Sequence, residues 1–449
     1  MTAFDPREYL HDHLNFERSP EKSRFTLDRM RRLVDALGHG DLLHPSDAVP
    51  PRGPHVVHLA GTKGKGGTSM MTAALLSAAG LRTGLYTSPH LEDITQRFRI
   101  DGEPIDEPEF ATVVRRLRRA EDAIGERPTF FELTTAAAVD HFVDRRCDVV
   151  VMETGLGGRL DSTNVLRSDH AAVTMIGLDH QKLLGDTREQ IAAEKAGIFK
   201  TGCVAISGIL QTDDAVRRVV NQTSRVPVAH RGDGFDGGWQ PLDDWGGRIH
   251  YRDDFLGGSL TFDIPCEGRH QGDNAVLAVA LAVRVLDAHG HPPPDGETIT
   301  RQFADHRPPA RLERFEGVGG VTVLLDAAHN DDSIRALVDV LRHRCRGRRV
   351  HVVLAATADK SLPPIVGPIA SIADRVLATR YVENPRWVPP DDLAEALMRA
   401  GSNEVLRVDD PVEALHRAGD GLSPGDWIVV CGSFFLAAEL RPHLMRGEG

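Results

Sequence analysis

Cysteine is scarce. Its five positions, Cys147, Cys203, Cys266, Cys345 and Cys431, are scattered, odd in number and without a CxxC pair. That excludes a disulfide scaffold and argues against a structural zinc centre, and it leads us to expect reduced thiols in a cytoplasm. Long apolar runs are missing: the best, 275–285, is too short and interrupted to span a membrane. Residues 1–10 carry acids and no apolar core, so no signal peptide is expected. A basic excess is missing as well. A net charge of −12 and a pI near 6.0 argue against a dedicated nucleic-acid binder, while leaving room for a small anionic substrate in a locally basic cleft. The two arginine-rich spots, 115–119 and 342–349, read as solvated helix faces or termini. Internal repeats and low-complexity segments are absent from the sequence.

What is present is a strand–helix rhythm. With 449 residues, the chain is long enough for two or three domains of roughly 100–200 residues each. Amphipathic helical material around 24–37 leads through a Pro/Gly-containing stretch, 44–54, to a buried strand over His55–Ala60. A helix over 68–79 and a strand over Thr83–Tyr86 follow. The pattern then predicts a helix over 132–145, strands over 148–153, 170–176 and Val204–Ser207, and a helix over 188–198. Residues 232–258, rich in Gly, Asp and Trp, read as loops and short antiparallel strands before a helix over 274–289. The run Gly290-His291-Pro292-Pro293-Pro294 breaks the chain. Beyond it the rhythm returns: strands over 321–326, 350–356, 375–379, 405–408 and Trp427–Cys431, and a helix over 333–343. The expected class is α/β with two doubly wound domains, a P-loop-type ATPase domain over 1–300 and a smaller Rossmann-like domain over 301–449.

The chemistry gathers at strand ends. Gly61-Thr62-Lys63-Gly64-Lys65-Gly66-Gly67-Thr68 lies between a strand and a helix. Glycines let backbone N–H groups turn toward phosphate oxygens, and the helix N-terminus adds positive partial charge. Lys65 supplies a full charge, and Thr62 or Thr68 offers a hydroxyl near Mg²⁺. The strict Walker pattern is not met: Leu59 stands where its first glycine belongs, and Gly66 follows Lys65. Next, Tyr86-Thr87-Ser88-Pro89-His90-Leu91 follows a strand, as ligand-lining loops do, although a plain Ser-Pro turn explains it as well. Glu153 ends an apolar strand, where nucleotide enzymes hold Mg²⁺, and Thr154-Gly155-Leu156-Gly157-Gly158-Arg159-Leu160-Asp161 follows it. Gly177-Leu178-Asp179-His180 follows another strand; His180 is a metal ligand or an ordinary histidine. Four strand ends delivering polar groups suit one crevice. Nothing physical in the sequence singles out Lys195, which reads as a solvated helix lysine.

Taken in order, these strings resemble folylpolyglutamate synthase/dihydrofolate synthase, a branch of the Mur ligase superfamily. The match runs over 58–91, Thr129-Phe130-Phe131-Glu132, 153–164, 177–180 with Leu184-Gly185-Asp186-Thr187, and 194–200. It continues with His270-Gln271 and Asn274-Ala275, Ala310-Arg311-Leu312-Glu313-Arg314, Leu325-Asp326-Ala327-Ala328-His329-Asn330, Asp359-Lys360, and Gly432-Ser433-Phe434-Phe435. The resemblance implies an active site between the two domains, ATP, two Mg²⁺, L-glutamate, and a reduced folate or dihydropteroate as acceptor. It implies that Lys65 and the amides of 61–68 hold phosphates. Ser88 and Glu153 would hold one Mg²⁺, and Glu153, His180 and a carbamylated Lys195 the second. Asn274, Arg311 and Asp326 would contact the nucleotide, with His329 and Ser433 near the incoming glutamate. The family loop usually reads G-T-[NK]-G-K-G-S, with its serine near Mg²⁺; Gly67 stands there in this chain. Gln96 likewise stands where the family commonly has Glu.

The expected reaction is amide formation through an acyl phosphate, with His329 as a candidate base. Alternatives are a Mur-type peptidoglycan-precursor ligase and a nucleotide-binding homologue without ligase activity. The folate-type strings and the lack of an obvious extra N-terminal domain argue against the first; Gly67 is the only hint of the second. No membrane or nucleic-acid partner is expected, and a monomer is.

Overall fold

The computed structural model describes residues 4–15, 26–43, 53–358, 360–382 and 384–447. Most of the stretch 44–54, residues 24–25 of the first expected helix, and Asp359 lie outside the described residues. The chain forms two compact units. One is Met1–Pro265 with Arg269–His306, the other Cys266–Gly268 with Arg307–Gly449. The chain thus passes into the second unit at 306/307, six residues beyond the expected 300/301.

The first unit is built on an eight-stranded sheet: β1 (His55–Ala60), β2 (Thr83–Tyr86), β3 (Phe98–Ile100), β4 (Glu103–Pro104), β5 (Val149–Glu153), β6 (His170–Val173), β7 (Val204–Ser207) and β8 (Val228–His230). Their order is β4-β3-β2-β5-β1-β6-β7-β8. All neighbours are parallel except β2–β3 and β3–β4. The Val- and Ala-rich strands are buried on both faces, as a covered parallel sheet requires. On one face Val56, Val150 and Met152 pack with Phe110, Phe130 and Phe142. On the other, Ala60, Ala171 and Val173 pack with Ile191, Ala192 and Ile198. The order places β2, β5, β1 and β6 side by side, so the four loops singled out in the sequence leave adjacent strands.

Two of the boundary shifts have a visible cause. The helix expected at 132 begins at Phe130, because Thr129 and Glu132 form a capping box, a T-x-x-E signal present in the sequence. Strand β6 ends at Val173 rather than 176. Residues 174–177 leave the ladder and bond to the glycine loop: Thr62 N–H donates to Met175 O at 2.9 Å, and Thr174 Oγ1 to Lys63 O at 2.6 Å.

The Gly/Asp/Trp-rich region forms an antiparallel sheet of β9 (Phe235–Pro241), β10 (Gly247–Asp253) and β11 (Gly258–Ile264). The helix Arg269–Ala288 follows. The second unit carries β12 (Glu313–Glu316), β13 (Thr322–Leu325), β14 (Val350–Leu354), β15 (Arg375–Ala378), β16 (Val405–Arg407) and β17 (Trp427–Cys431). Their order is β12-β13-β17-β14-β15-β16, parallel except for β12. The class is α/β, with two parallel-rich sheets. Among the described residues no helix is long and apolar enough to cross a membrane.

Candidate active site

The glycine loop leaves β1 and turns directly into the helix Lys65–Ala78. Gly61 passes so close to the neighbouring strand end that a Cβ there would sit 1.7 Å from Thr174 Oγ1. Gly64 is left-handed (φ +84), and its Cβ would meet Asn274 Oδ1 at 2.1 Å. Both positions demand glycine, one by close approach and the other by backbone and space. The helix therefore starts at Lys65 rather than 68, and Gly66 and Gly67 sit in its first turn, where their N–H groups have no partners within the helix. Thr62 Oγ1 donates to Gly177 O and accepts from Gly177 N–H, at 3.2 and 3.1 Å. Lys63 pairs with Asp179 at 3.3 Å. Lys65 forms no ion pair among the described residues. Thr68 is fully buried, and its Oγ1 has no hydrogen-bond partner among the described residues.

Glu153, buried at the end of β5, accepts the Ser88 N–H at 3.1 Å through Oε2. The same oxygen would lie 3.4 Å from a Cβ on Gly66. A Cβ on Gly67 would instead approach Asn274 Nδ2 at 3.3 Å and Gln271 Oε1 at 3.7 Å. The serine that Gly67 replaces would therefore start from the Asn274 side of the loop, not from the Glu153 side.

Lys195 corrects the sequence reading. Far from being solvated, it is 4 % exposed, and its Nζ donates to Gly61 O at 2.8 Å. Burial, reinforced by the nearby Lys65, pushes its pKa down to about 7, while Asp179 and Asp161 pull the other way. The loop after Glu153 sets this lysine in place. A Cβ on Gly158 would be 2.7 Å from Lys195 O, and Arg159 N–H donates to Glu194 O at 2.7 Å. His180 is the outlier: its side chain is 54 % exposed and its backbone left-handed (φ 50). No group of three or more His, Cys, Asp or Glu side chains that could hold a metal ion occurs among the described residues. Asn274 sits on helix Arg269–Ala288 against Gly64, with its Nδ2 donating to Gln271 Oε1 at 3.2 Å.

Sequence reasoning missed Thr174 and left Asp161 without a role. Asp161 is buried and accepts from Leu156 N–H (2.8 Å) and Thr163 Oγ1 (2.7 Å), so it shapes the glycine-rich loop; burial raises its pKa. Gln96 also turns inward: Oε1 accepts the N–H groups of Leu91 and Glu92, each at 3.2 Å.

In the second unit, Arg311 lies between two left-handed residues, Ala310 and Leu312. Asp326, at the end of β13, holds that turn: Oδ2 accepts Leu312 N–H at 2.7 Å, and Oδ1 accepts Ala328 N–H at 2.8 Å. Its carboxyl pKa is raised by burial, against the opposing charge of Arg311. His329 Nδ1 bonds to Ala327 O at 2.8 Å, just before the helix Asp331–Arg344. Ser433 caps the helix Phe434–Met445, its Oγ accepting Phe435 N–H at 3.2 Å. The loops bearing His329 and Ser433 leave the adjacent strands β13 and β17 and are tied by Gly432 N–H to Ala328 O at 2.7 Å.

A glycine loop opening a helix on one parallel-rich sheet, followed by a second parallel-rich unit, suits a Mur-type ligase. The Mur ligase middle domain matches residues 59–282, and the Mur ligase glutamate ligase domain matches residues 310–434. The chain belongs to the folylpolyglutamate synthase/dihydrofolate synthase family. It is 32 % identical to dihydrofolate synthase/folylpolyglutamate synthase of Mycobacterium tuberculosis, over 96 % of this chain and 92 % of that one. It is also 32 % identical to folylpolyglutamate synthase of Lacticaseibacillus casei, over 94 % of each. Among solved structures, M. tuberculosis folylpolyglutamate synthase complexed with ADP matches with a TM-score of 0.84 at 29 % identity, over 98 % of this chain and 97 % of that one. E. coli FolC in complex with DHPP and ADP matches with a TM-score of 0.82 at 28 % identity, over 100 % and 99 %.

Proposed function

We infer that this chain is an ATP-dependent ligase that adds L-glutamate to the carboxylate of a folate or of dihydropteroate. The observation that carries the reading is the glycine loop with Lys65, which forms no ion pair among the described residues, in the first turn of the helix and the buried Glu153 alongside. Relatives carrying both family names, and neighbours holding ADP or DHPP, support it.

A carboxylate is a poor electrophile and an ammonium is no nucleophile, so the coupling needs activation. A carboxylate oxygen of the acceptor takes the γ-phosphoryl group as its bond to ADP breaks. The glutamate amine, having lost a proton, then attacks the acyl carbon, the amide bond forms and phosphate leaves. The chain supplies position and charge. Lys65 and the glycine loop 61–68, through the N–H groups that its first helical turn leaves open at Gly66 and Gly67, hold the β- and γ-phosphates. Asn274 is assigned to the nucleotide; in the second unit Asp326, with an oxygen on Leu312 N–H, fixes the turn that presents Arg311. His329 and Ser433 lie near the incoming glutamate, Ser433 opening a helix N-terminus suited to a carboxylate.

Mg²⁺ fits the residues present. Glu153 offers a buried carboxylate oriented by Ser88, and Thr68 leaves a buried hydroxyl beside the loop. A Mg²⁺ that keeps several waters and takes one or two carboxylates plus phosphates needs no three-residue cage. The ion would neutralise charge on the triphosphate. We assign a second ion to Glu153, His180 and a carbamylated Lys195. Only a neutral amine adds CO₂, and a pKa near 7 keeps much of Lys195 neutral at neutral pH. The first unit then serves as the ATP-binding domain and the second as the glutamate-ligase domain, in a cytoplasmic monomer; five scattered, buried cysteines agree with a reducing compartment.

The test is purified enzyme with ATP, Mg²⁺, glutamate and either dihydropteroate or a reduced folate. Mass spectrometry reads which acceptor gains one glutamate. Absence of glutamate-dependent ADP release with both acceptors rejects the folate reading.

A further inference from the structure

Asn274 reaches the phosphate loop from the helix Arg269–Ala288, and the contact that sets this helix's first turns comes from the antiparallel sheet. Arg231, just after β8, is buried, and its guanidinium serves three acceptors. Nε donates to Asp236 Oδ1 at 2.8 Å, Nη2 to Gly237 O at 2.6 Å, and Nη1 to Asp273 Oδ1 at 2.5 Å. Asp236 and Gly237 belong to β9; Asp273 is the residue before Asn274. The steric fit repeats this grip. A Cβ on Gly272 would lie 2.7 Å from Trp239 Cβ, and one on Gly237 would lie 2.5 Å from Val276 Cγ2. Strand β9 therefore packs closely on residues 272 and 276, Arg231 ties Asp273 to the same strand, and on the loop side Asn274 meets Gly64.

We propose that Arg231 is a positioning residue for the nucleotide: by locking Asp273 to β9 it holds the Asn274 amide at the phosphate loop. The physical reason is the rigid guanidinium fork, which fixes direction as well as charge. Without it, two carboxylates lose their cation and the first turns of the helix lose their rotational stop. The proposal rests on Asn274 being a nucleotide contact.

The experiment is a double-mutant cycle on the full chain, read by ADP calorimetry and by initial rates. Arg231→Met weakens ADP binding about tenfold and raises the KM for ATP similarly, with kcat within about threefold. Arg231→Lys recovers only part of this, since a single ammonium cannot serve three fixed acceptors. Placed on Asn274→Ala, Arg231→Met adds nothing more, because both changes remove the same contact. Effects that multiply in the double variant, or unchanged ADP affinity in Arg231→Met, overturn the proposal. If Arg231→Met fails to fold, Asp273→Asn, which keeps the side-chain shape, carries the same cycle. Unchanged ADP affinity in Asn274→Ala overturns the proposal at its premise, whereas wild-type protein that binds no ADP rejects the ligase reading itself.

Discussion

At the scale of single residues, the proposed site separates groups left open toward a ligand from groups that hold loops. Lys65 forms no ion pair among the described residues and stands in the first turn of a helix. Lys65→Ala should therefore leave the circular dichroism spectrum unchanged while lowering turnover by at least about 10²–10³-fold, the scale of one lost transition-state donor. Near-normal turnover would mean the loop assignment is wrong. Gln96 belongs to the second kind, since its acceptor oxygen already closes residues 91–96. Gln96→Glu keeps that oxygen but replaces the Nε2 that donates to Glu92 Oε2 at 3.3 Å with a second carboxylate oxygen, so stability should fall by roughly 0.5–1 kcal/mol while the ratio of dihydropteroate to folate turnover stays within about twofold. A switch in acceptor preference, read by mass spectrometry, would show that position 96 meets the substrate. Glu153 was legible in the sequence because an acid ending an apolar strand is a local pattern. Lys195 was not: its burial depends on Gly61 and Gly158, which approach it only in the fold.

At the scale of elements, the helix Lys65–Ala78 begins where intrinsic propensity opposes it. Gly66 and Gly67 are poor helix formers, and the pattern alone placed the start at 68. The left-handed turn at Gly64 starts the helix earlier. Gly64→Ala therefore meets two penalties, a left-handed backbone and a side chain 2.1 Å from Asn274 Oδ1. We expect a loss of about 1–3 kcal/mol in urea unfolding together with weaker ADP binding. Loss of stability with full ADP affinity would show that Asn274 yields without consequence for the nucleotide. The end of β6 carries the same lesson. Residues 174–177 look like strand continuation, yet they hydrogen-bond to the loop from 61 to 64 instead.

At the scale of the whole molecule, three histidines join distant parts of the first unit away from the phosphate loop. His55 and His170 open β1 and β6 and share a 2.7 Å hydrogen bond; the His289 ring lies tilted against His55, 5.0 Å between centroids. Burial holds all three below the usual histidine range, His55 at about 4 and His170 at about 3, with Asp169 pulling both upward. Arg167 and His289 oppose protonation of His55, while Asp148 favours that of His289. The unfolded chain takes up protons as pH falls through about 6.5 and the folded chain does not. Stability is thus full above pH 6.5 and lost as pH falls toward 4. By pH 5 the loss from His55 alone is about 2 kcal/mol. Urea titrations at pH 7 and 5 test this, with His55→Gln expected to flatten the difference. An equal slope in that variant assigns the acid sensitivity elsewhere.

What the sequence alone determined were the elements and the order of the chemistry: strand runs, glycine turns, strand-end polar residues and the family they resemble. These are local patterns, set by periodicity and backbone freedom. The fold alone decided which distant groups meet. It brought Lys195 to Gly61, Gly67 to the Asn274 side of the loop, and Arg231 to Asp273. Burial and hydrogen bonding between segments far apart in the chain depend on the packing of the sheet and its helices, which no local pattern carries. The phosphate loop belongs to both: its glycines announced it, but its helix start and its partners came from the strand beside it.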